Sequence, residues 1–318
     1  MNDDTTPKAP AGAPSTDPQL DRAAAGRLMR MATYAAVGTA CTLIVVKFGA
    51  WLMTDSVSLL STLIDSLLDV AASTVNLLAV RHALEPADAE HRFGHGKAES
   101  LAGLAQSAFI SGSAVFLLLQ AGERLFNPSP VHNTMVGYGV MVFSIAATIG
   151  LVTFQKYVAK RTQSLAISAD SAHYTMDVLV NLSVILSLFL AAEMGWQLAD
   201  PLFAIAISFY ILHGAYEIGI EAYHVLMDRE LPDDDREKIR ELALQHKQVI
   251  SMHDLRTRQS GPDMFIQMHL EMRRDISLYD AHEIAEDVMR RVGAAYPRAE
   301  VLIHQDPAGI EEEHAFDD

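Results

Sequence analysis

Two pairs of ionisable residues lie inside stretches that are otherwise apolar: Asp65 and Asp69 within 57–83, and His173 and Asp177 within 165–191. Each pair is spaced by four, so on a helix both side chains leave from one face. A carboxylate in hydrocarbon is costly, and such a residue usually faces a cavity or a ligand. Three carboxylates and one imidazole form a donor set suited to tetrahedral zinc or iron(II). The bland alternative is polar glue between helices, drawing in Asp170 or Asn181. Three acids against one base would then leave negative charge uncompensated, and a divalent cation or protons would have to supply the balance. Metal leaving must be answered by protons arriving, which is a physical basis for exchange.

A second constellation lies in Pro86-Ala87-Asp88-Ala89-Glu90-His91-Arg92-Phe93-Gly94-His95-Gly96-Lys97, where Asp88, His91 and His95 offer one acid and two imidazoles beside two glycines. They could hold one metal with an open position, although a surface loop with two histidines is common. A third group is spread over the last ninety or so residues: His253, His269 and His282, with Asp306 just after His304. Their clustering at strand ends favours metal over solvated surface histidines.

The elements that must carry these residues follow from the distribution of apolar side chains. Half of the residues are hydrophobic and one fifth are charged. The apolar ones are bunched between Met31 and Met227. A helix needs about 20 largely apolar residues to cross the hydrocarbon. Spans are therefore predicted at 31–53, 57–83, 101–126, 135–158, 165–191 and 201–227. Asp69 and Asp177 each lie twelve residues into their spans, roughly 18 Å at the helical rise, which puts both near the midplane. Because even and odd spans run antiparallel, the two pairs can face each other.

Cationic residues choose the orientation. Arg22, Arg27 and Arg30 precede the first span, Arg81, Arg92 and Lys97 flank the second connection, and Lys156, Lys160 and Arg161 the fourth, while the opposite loops contain almost only Arg124. The positive-inside rule places both termini in the cytoplasm. Lys47, within the first span, is expected to snorkel rather than to pair with an acid of a neighbouring helix. Gly103, Ala105, Ser107, Ser111 and Gly112 in the third span allow close approach of another helix, within the protomer or between two.

The lone cysteine, Cys41, excludes an intramolecular disulfide and any multi-cysteine zinc site. The net charge of −16, concentrated towards the ends, argues against nucleic acid as a partner. Residues 1–26 read as a disordered tail with no signal-peptide pattern, 27–228 as the membrane domain, 229–307 as a soluble domain, and 308–318 as a disordered acidic tail. In the soluble part an acidic helix start at Asp233, strand-like runs 252–258 and 264–272 joined by a turn at 259–263, a helix 278–295 and a strand 299–304 give an αββαβ order. A small sheet covered on one side, with a dimer contact on the other, would satisfy its apolar faces.

Asp65-Ser66-Leu67-Leu68-Asp69, Phe93-Gly94-His95-Gly96-Lys97-Ala98-Glu99, His173 to Asp177, His253-Asp254-Leu255-Arg256-Thr257-Arg258 and Ile303-His304-Gln305-Asp306-Pro307 occur in this order. Together they closely resemble the cation diffusion facilitator family, in its bacterial ferrous-iron and zinc efflux pump branch, over Arg27 to Pro307. The resemblance implies a homodimer in the inner membrane: a bundle of six transmembrane helices with a metallochaperone-like cytoplasmic α/β domain, exporting zinc, and also iron(II) or cadmium, for protons. It implies a transport site at Asp65, Asp69, His173 and Asp177 and a loop site at Asp88, His91 and His95. The cytoplasmic binuclear site would use His253, His269, His282 and Asp306, with His304 as an additional or bridging ligand. Lys97 and Asp228 are implied as a charge interlock.

An intramembrane metallohydrolase is disfavoured because no His-Glu-x-x-His motif occurs, His282-Glu283 lacking the second histidine. A channel or metal sensor would share the ligands but not the need for proton exchange. His173 tilts the donor set towards zinc.

Overall fold

The computed structural model describes residues 22–54, 57–126, 135–194, 196 and 198–310. The expected tails fall mostly outside these residues. The chain divides into two compact units, one spanning Ala25–Met227 and a second beginning at Asp228.

The first unit consists of α1 (Arg22–Thr54), α2 (Val57–Ala83), α3 (Lys97–Phe126), α4 (Met135–Thr162), α5 (Leu165–Met194) and α6 (Ala199–Leu226). Five of them contain a stretch long and apolar enough to cross a membrane. The sixth, α5, is 30 residues long and carries Asp170, His173 and Asp177. Residues 22–26, expected to belong to a disordered tail, are helical, because α1 begins at Arg22. The run Arg22-Ala23-Ala24-Ala25 has high helix propensity, and Ala25 and Met29 are fully buried.

Small residues set the helix spacing. A Cβ built on Gly219 of α6 would lie 2.9 Å from Ser107 Oγ of α3, and one on Gly103 would lie 3.3 Å from Leu165 Cδ2. Two of the small residues of α3 are thus used within the protomer, where they let backbones approach. Met29 and Ala32 of α1, Val80 of α2, Val158 of α4 and Ile167 of α5 close one apolar cluster, while Ile110, Ala114, Ile211 and Ala215 join α3 to α6 in another. The turn into α5 is capped: Ser164 Oγ accepts from Ile167 N–H at 3.3 Å and also bonds the buried Glu99 carboxylate of α3.

The second unit contains α7 (Asp233–Leu244), β1 (Val249–Ser260), β2 (Asp263–Met272), α8 (Leu278–Ala295) and β3 (Ala299–Pro307). The sheet order is β1-β2-β3, antiparallel between β1 and β2 and parallel between β2 and β3. The hairpin is tighter than the five-residue turn read from sequence. Ser260 pairs with Asp263, leaving only Gly261 and Pro262, and Gly261 takes φ +58° as a primed turn requires. Both outer strands are longer than expected for the same reason: pairing continues past the apolar residues that mark them.

Met268, Leu270 and Met272 of β2 share one sheet face with Ile303 of β3 and pack on Ile239 of α7 and Ile284, Val288 and Val292 of α8. Ser277 opens α8 with a capping box to Asp280. Tyr296 Oη donates to Asp235 Oδ1 at 2.9 Å, and burial together with that carboxylate pushes the phenol above its ordinary range, so it remains a donor.

Candidate metal centres

Helices α2 and α5 run in opposite directions and are tied together turn by turn. Ser73 Oγ and Tyr174 Oη are 2.7 Å apart, and Asn76 Nδ2 donates to Ala166 O at 3.4 Å. Asp69 stands one turn before Ser73 on the same face of α2. Opposite it, His173 Nε2 of α5 is 3.1 Å from Asp69 Oδ1 and 3.9 Å from Asp177 Oδ2. Ligand atoms bound at zinc distances sit roughly 3.3 Å apart along a tetrahedral edge. The observed separations bracket that value, so the three side chains fit a divalent ion.

His173 is only 2% exposed, and its Nδ1 is buried without a hydrogen-bond partner, so Nε2 is the nitrogen turned to the carboxylates. Phe109 and Tyr174 meet the imidazole edge-on, at 5.8 and 5.4 Å between centroids. Asp65, one turn nearer the start of α2, is exposed and outside this group. Asp170 is buried and accepts from Gln155 Nε2 at 2.6 Å, while Asn181 Nδ2 donates to Asp177 O at 2.7 Å. Lys47 does not snorkel. Its ammonium turns to α2, donating to Ser66 Oγ at 2.7 Å and Thr62 O at 3.2 Å, because the helix next to it offers acceptors at that depth.

In the connection from α2 to α3, Asp88 Oδ1 accepts from the N–H groups of Glu90 and His91, at 2.9 and 2.6 Å. The His91 N–H bond is the largest influence holding the Asp88 carboxyl below its ordinary range. Asp88 Oδ1 is 3.4 Å from His91 Nδ1, and Asp88 Oδ2 is 3.4 Å from His95 Nε2. Gly94 at φ +79° returns the chain so that His95 comes back over His91, with ring centroids 4.6 Å apart.

The sheet aligns the third set. His253, His269 and His304 are register partners across β1, β2 and β3, forming one row on the face away from the helices. Asp306, two residues after His304, lies beside that row. Its carboxylate is 3.5 Å from His253 Nε2, 2.9 Å from His269 Nδ1 and 3.1 Å from His304 Nε2. One acid thus serves three imidazoles.

Residues 33–227 match the cation efflux transmembrane domain, and residues 231–308 the cation efflux protein cytoplasmic domain. The cation-efflux pump FieF of Salmonella arizonae is 50% identical over 285 residues, covering 90% of this chain and 95% of the relative. That of Salmonella choleraesuis is 49% identical over the same coverage. The chain belongs to the cation diffusion facilitator family, in its iron and zinc efflux branch. A solved chain of the transporter CzrB in its Zn form is 31% identical, covering 27% of this chain and 99% of its own, with a TM-score of 0.26.

As a cation diffusion facilitator the protein is a multi-pass membrane transporter for divalent metal efflux, not an enzyme. The structure of this facilitator gathers Asp69, His173 and Asp177; Asp88, His91 and His95; and His253, His269, His304 and Asp306. It leaves Asp65 and His282 apart, the latter exposed in the second turn of α8. Sequence reasoning missed three metal-competent residues. Asp254 joins His253 and His269 because β1 bulges between His253 and Arg256 and Asp254 takes φ +50°; strict alternation would have turned it to the other face. His82 and Glu85 join His95 at the end of α2, and their three-residue spacing before Pro86 was a readable signal.

Proposed function

We propose that this facilitator exports zinc from the cytoplasm in exchange for protons, by alternating access to a site formed by Asp65, Asp69, His173 and Asp177. Iron(II) and cadmium are secondary substrates. The observation that carries this reading is the Asp69–His173–Asp177 group, far from the ends of α2 and α5 and built on a nearly inaccessible imidazole. An ionised site of this kind cannot be emptied without charge compensation, and protons provide it. Asp65, on the same helix face one turn away, completes the ligand set as the helices shift.

The remaining assignments follow the same chemistry. Asp88, His91 and His95 form a loop site on the cytoplasmic side, and His253, His269, His282, His304 and Asp306 a binuclear cytoplasmic site, with His282 delivered by the dimer. The protein works as a homodimer in the bacterial inner membrane, its six helices in the lipid bilayer and both termini in the cytoplasm.

Purified protein in liposomes loaded with a zinc-sensitive dye, and separately with a pH dye, tests the reading. Zinc uptake driven by an imposed proton gradient and abolished by Asp69→Ala is the expected result. Zinc movement that ignores the gradient, or survives the substitution, would replace the antiporter with a channel or sensor.

A further inference from the structure

Beside the loop site the chain carries two metal-competent side chains that the transport reading leaves unused. His82 lies in the last turn of α2, and the backbone keeps turning beyond it, Glu85 N–H donating to His82 O at 3.0 Å. Three-residue spacing on such a turn brings both side chains to one side, and His82 Nδ1 is 2.9 Å from Glu85 Oε2. The His82 and His95 ring centroids are 4.4 Å apart, so His95 is held between the imidazoles of His82 and His91. His82, Glu85 and His95 each offer one ligand atom, all within 4.8 Å of one another, as Asp88, His91 and His95 do.

His95 distinguishes this cluster from a chance grouping on the surface. Its side chain is 5% exposed while those of His82 and Glu85 are half exposed. Its Nε2 serves Asp88 Oδ2, and its Nδ1 is buried with no hydrogen-bond partner. A buried ring nitrogen of that kind calls for an explanation, and a metal ion is one that fits its neighbours. Two imidazoles and a carboxylate are a common zinc donor set that keeps a fourth position open.

We propose that His82, Glu85 and His95 form a second divalent-cation site, for a borderline metal such as zinc, cobalt(II) or cadmium. It shares His95 with the loop site of Asp88 and His91 and rests on that reading only through the common ring. The buried imidazole anchors the ion, and the exposed His82 and Glu85 present it to water at the end of the helix that carries Asp69.

The test uses the full-length protein in detergent, with Asp69→Ala, His173→Ala, His253→Ala and Asp306→Ala silencing the other centres, and cobalt(II) as the probe. In this background the Asp88→Ala/His91→Ala chain should still bind cobalt(II), read by visible absorption and equilibrium dialysis. Loss of outer-shell partners alone costs about 10–100-fold in metal affinity, so adding His82→Ala and Glu85→Gln should weaken binding by at least about 10-fold. Failure of the Asp88→Ala/His91→Ala chain to bind, or binding that His82→Ala and Glu85→Gln leave unchanged, overturns the second site. The converse chain, with Asp88 and His91 kept and His82→Ala/Glu85→Gln introduced, isolates the loop reading: if it binds no cobalt(II), the loop site falls while the second site stands on its own result.

Discussion

The groups on α2 and α5 and on the sheet face use the same ligand types, imidazole and carboxylate, in very different surroundings. His173 is 2% exposed and is walled by Phe109 and Tyr174. The His304 side chain is 65% exposed, and the carboxylate of Asp306, not an imidazole, is the buried centre of its cluster. Water reaches the imidazole of His304 freely, whereas it is shut out from the imidazole between the helices. On the proposed reading, equivalent donors are tied to ion movement in one region and free to act as a stabilising clip in the other.

The largest effect should come from breaking the buried group. His173→Ala should reduce proton-driven zinc uptake by 100-fold or more, about 2.7 kcal/mol, since it removes the ligand on which both carboxylates converge. His304→Ala should cost less than about 10-fold in uptake, about 1.4 kcal/mol, because His304 lies outside the Asp69–His173–Asp177 group. Equal losses in the liposome assay would erase the contrast between the regions.

Outside the site, the packing that holds the histidine row in register offers a second contrast, read in stability and not in transport. Ile266 is fully buried in the cytoplasmic core, and Ile266→Ala should cost about 2–5 kcal/mol in the unfolding of that unit. Leu302, 63% exposed on the opposite face, should cost within about 0.5 kcal/mol when changed to Ala, unless a second protomer covers it. A large Leu302→Ala loss that appears only in the dimer, by denaturation at two protein concentrations, would locate the dimer contact on that face.

A pH titration sharpens the third contrast. Because the Asp88 carboxyl is held below its ordinary range, its folded-state advantage is present above the unfolded pKa and lost only as pH falls through the lowered one. Metal loss from the loop on mild acidification should then show no step from Asp88. Asp88→Asn should lower cobalt(II) affinity without moving the acid midpoint. A shift of that midpoint would mean that the Asp88 carboxyl is not held below its ordinary range.

Much of this was legible because apolar runs and four-residue spacing are local properties. The bounds of α2 and α8 and the convergence of Asp69, His173 and Asp177 required only a periodicity of 3.6 and antiparallel spans. Lys47 was misread because the acceptors it uses, Thr62 O and Ser66 Oγ, lie on another helix and depend on packing. The grouping of His253 with His269 and His304 depends on strand register, which a sequence fixes only through the pairing of its neighbours. Asp254 lay beyond reach, since nothing local announces a bulge.

That bulge supplies the smallest and most discriminating prediction. Asp254 holds φ +50°, where a side chain with a branched Cβ is strained and Asn or Asp is tolerated. Asp254→Asn should therefore leave the unfolding free energy nearly unchanged, while Asp254→Val should lower it by about 1–2 kcal/mol. Metal affinity separates the carboxylate from the backbone. If Asp254 is a ligand beside His253 and His269, Asn weakens cobalt(II) binding at the sheet despite intact stability. If its role is only to turn the strand, Asn binds as the parent does, and the residue's contribution is to aim His253 at Asp306.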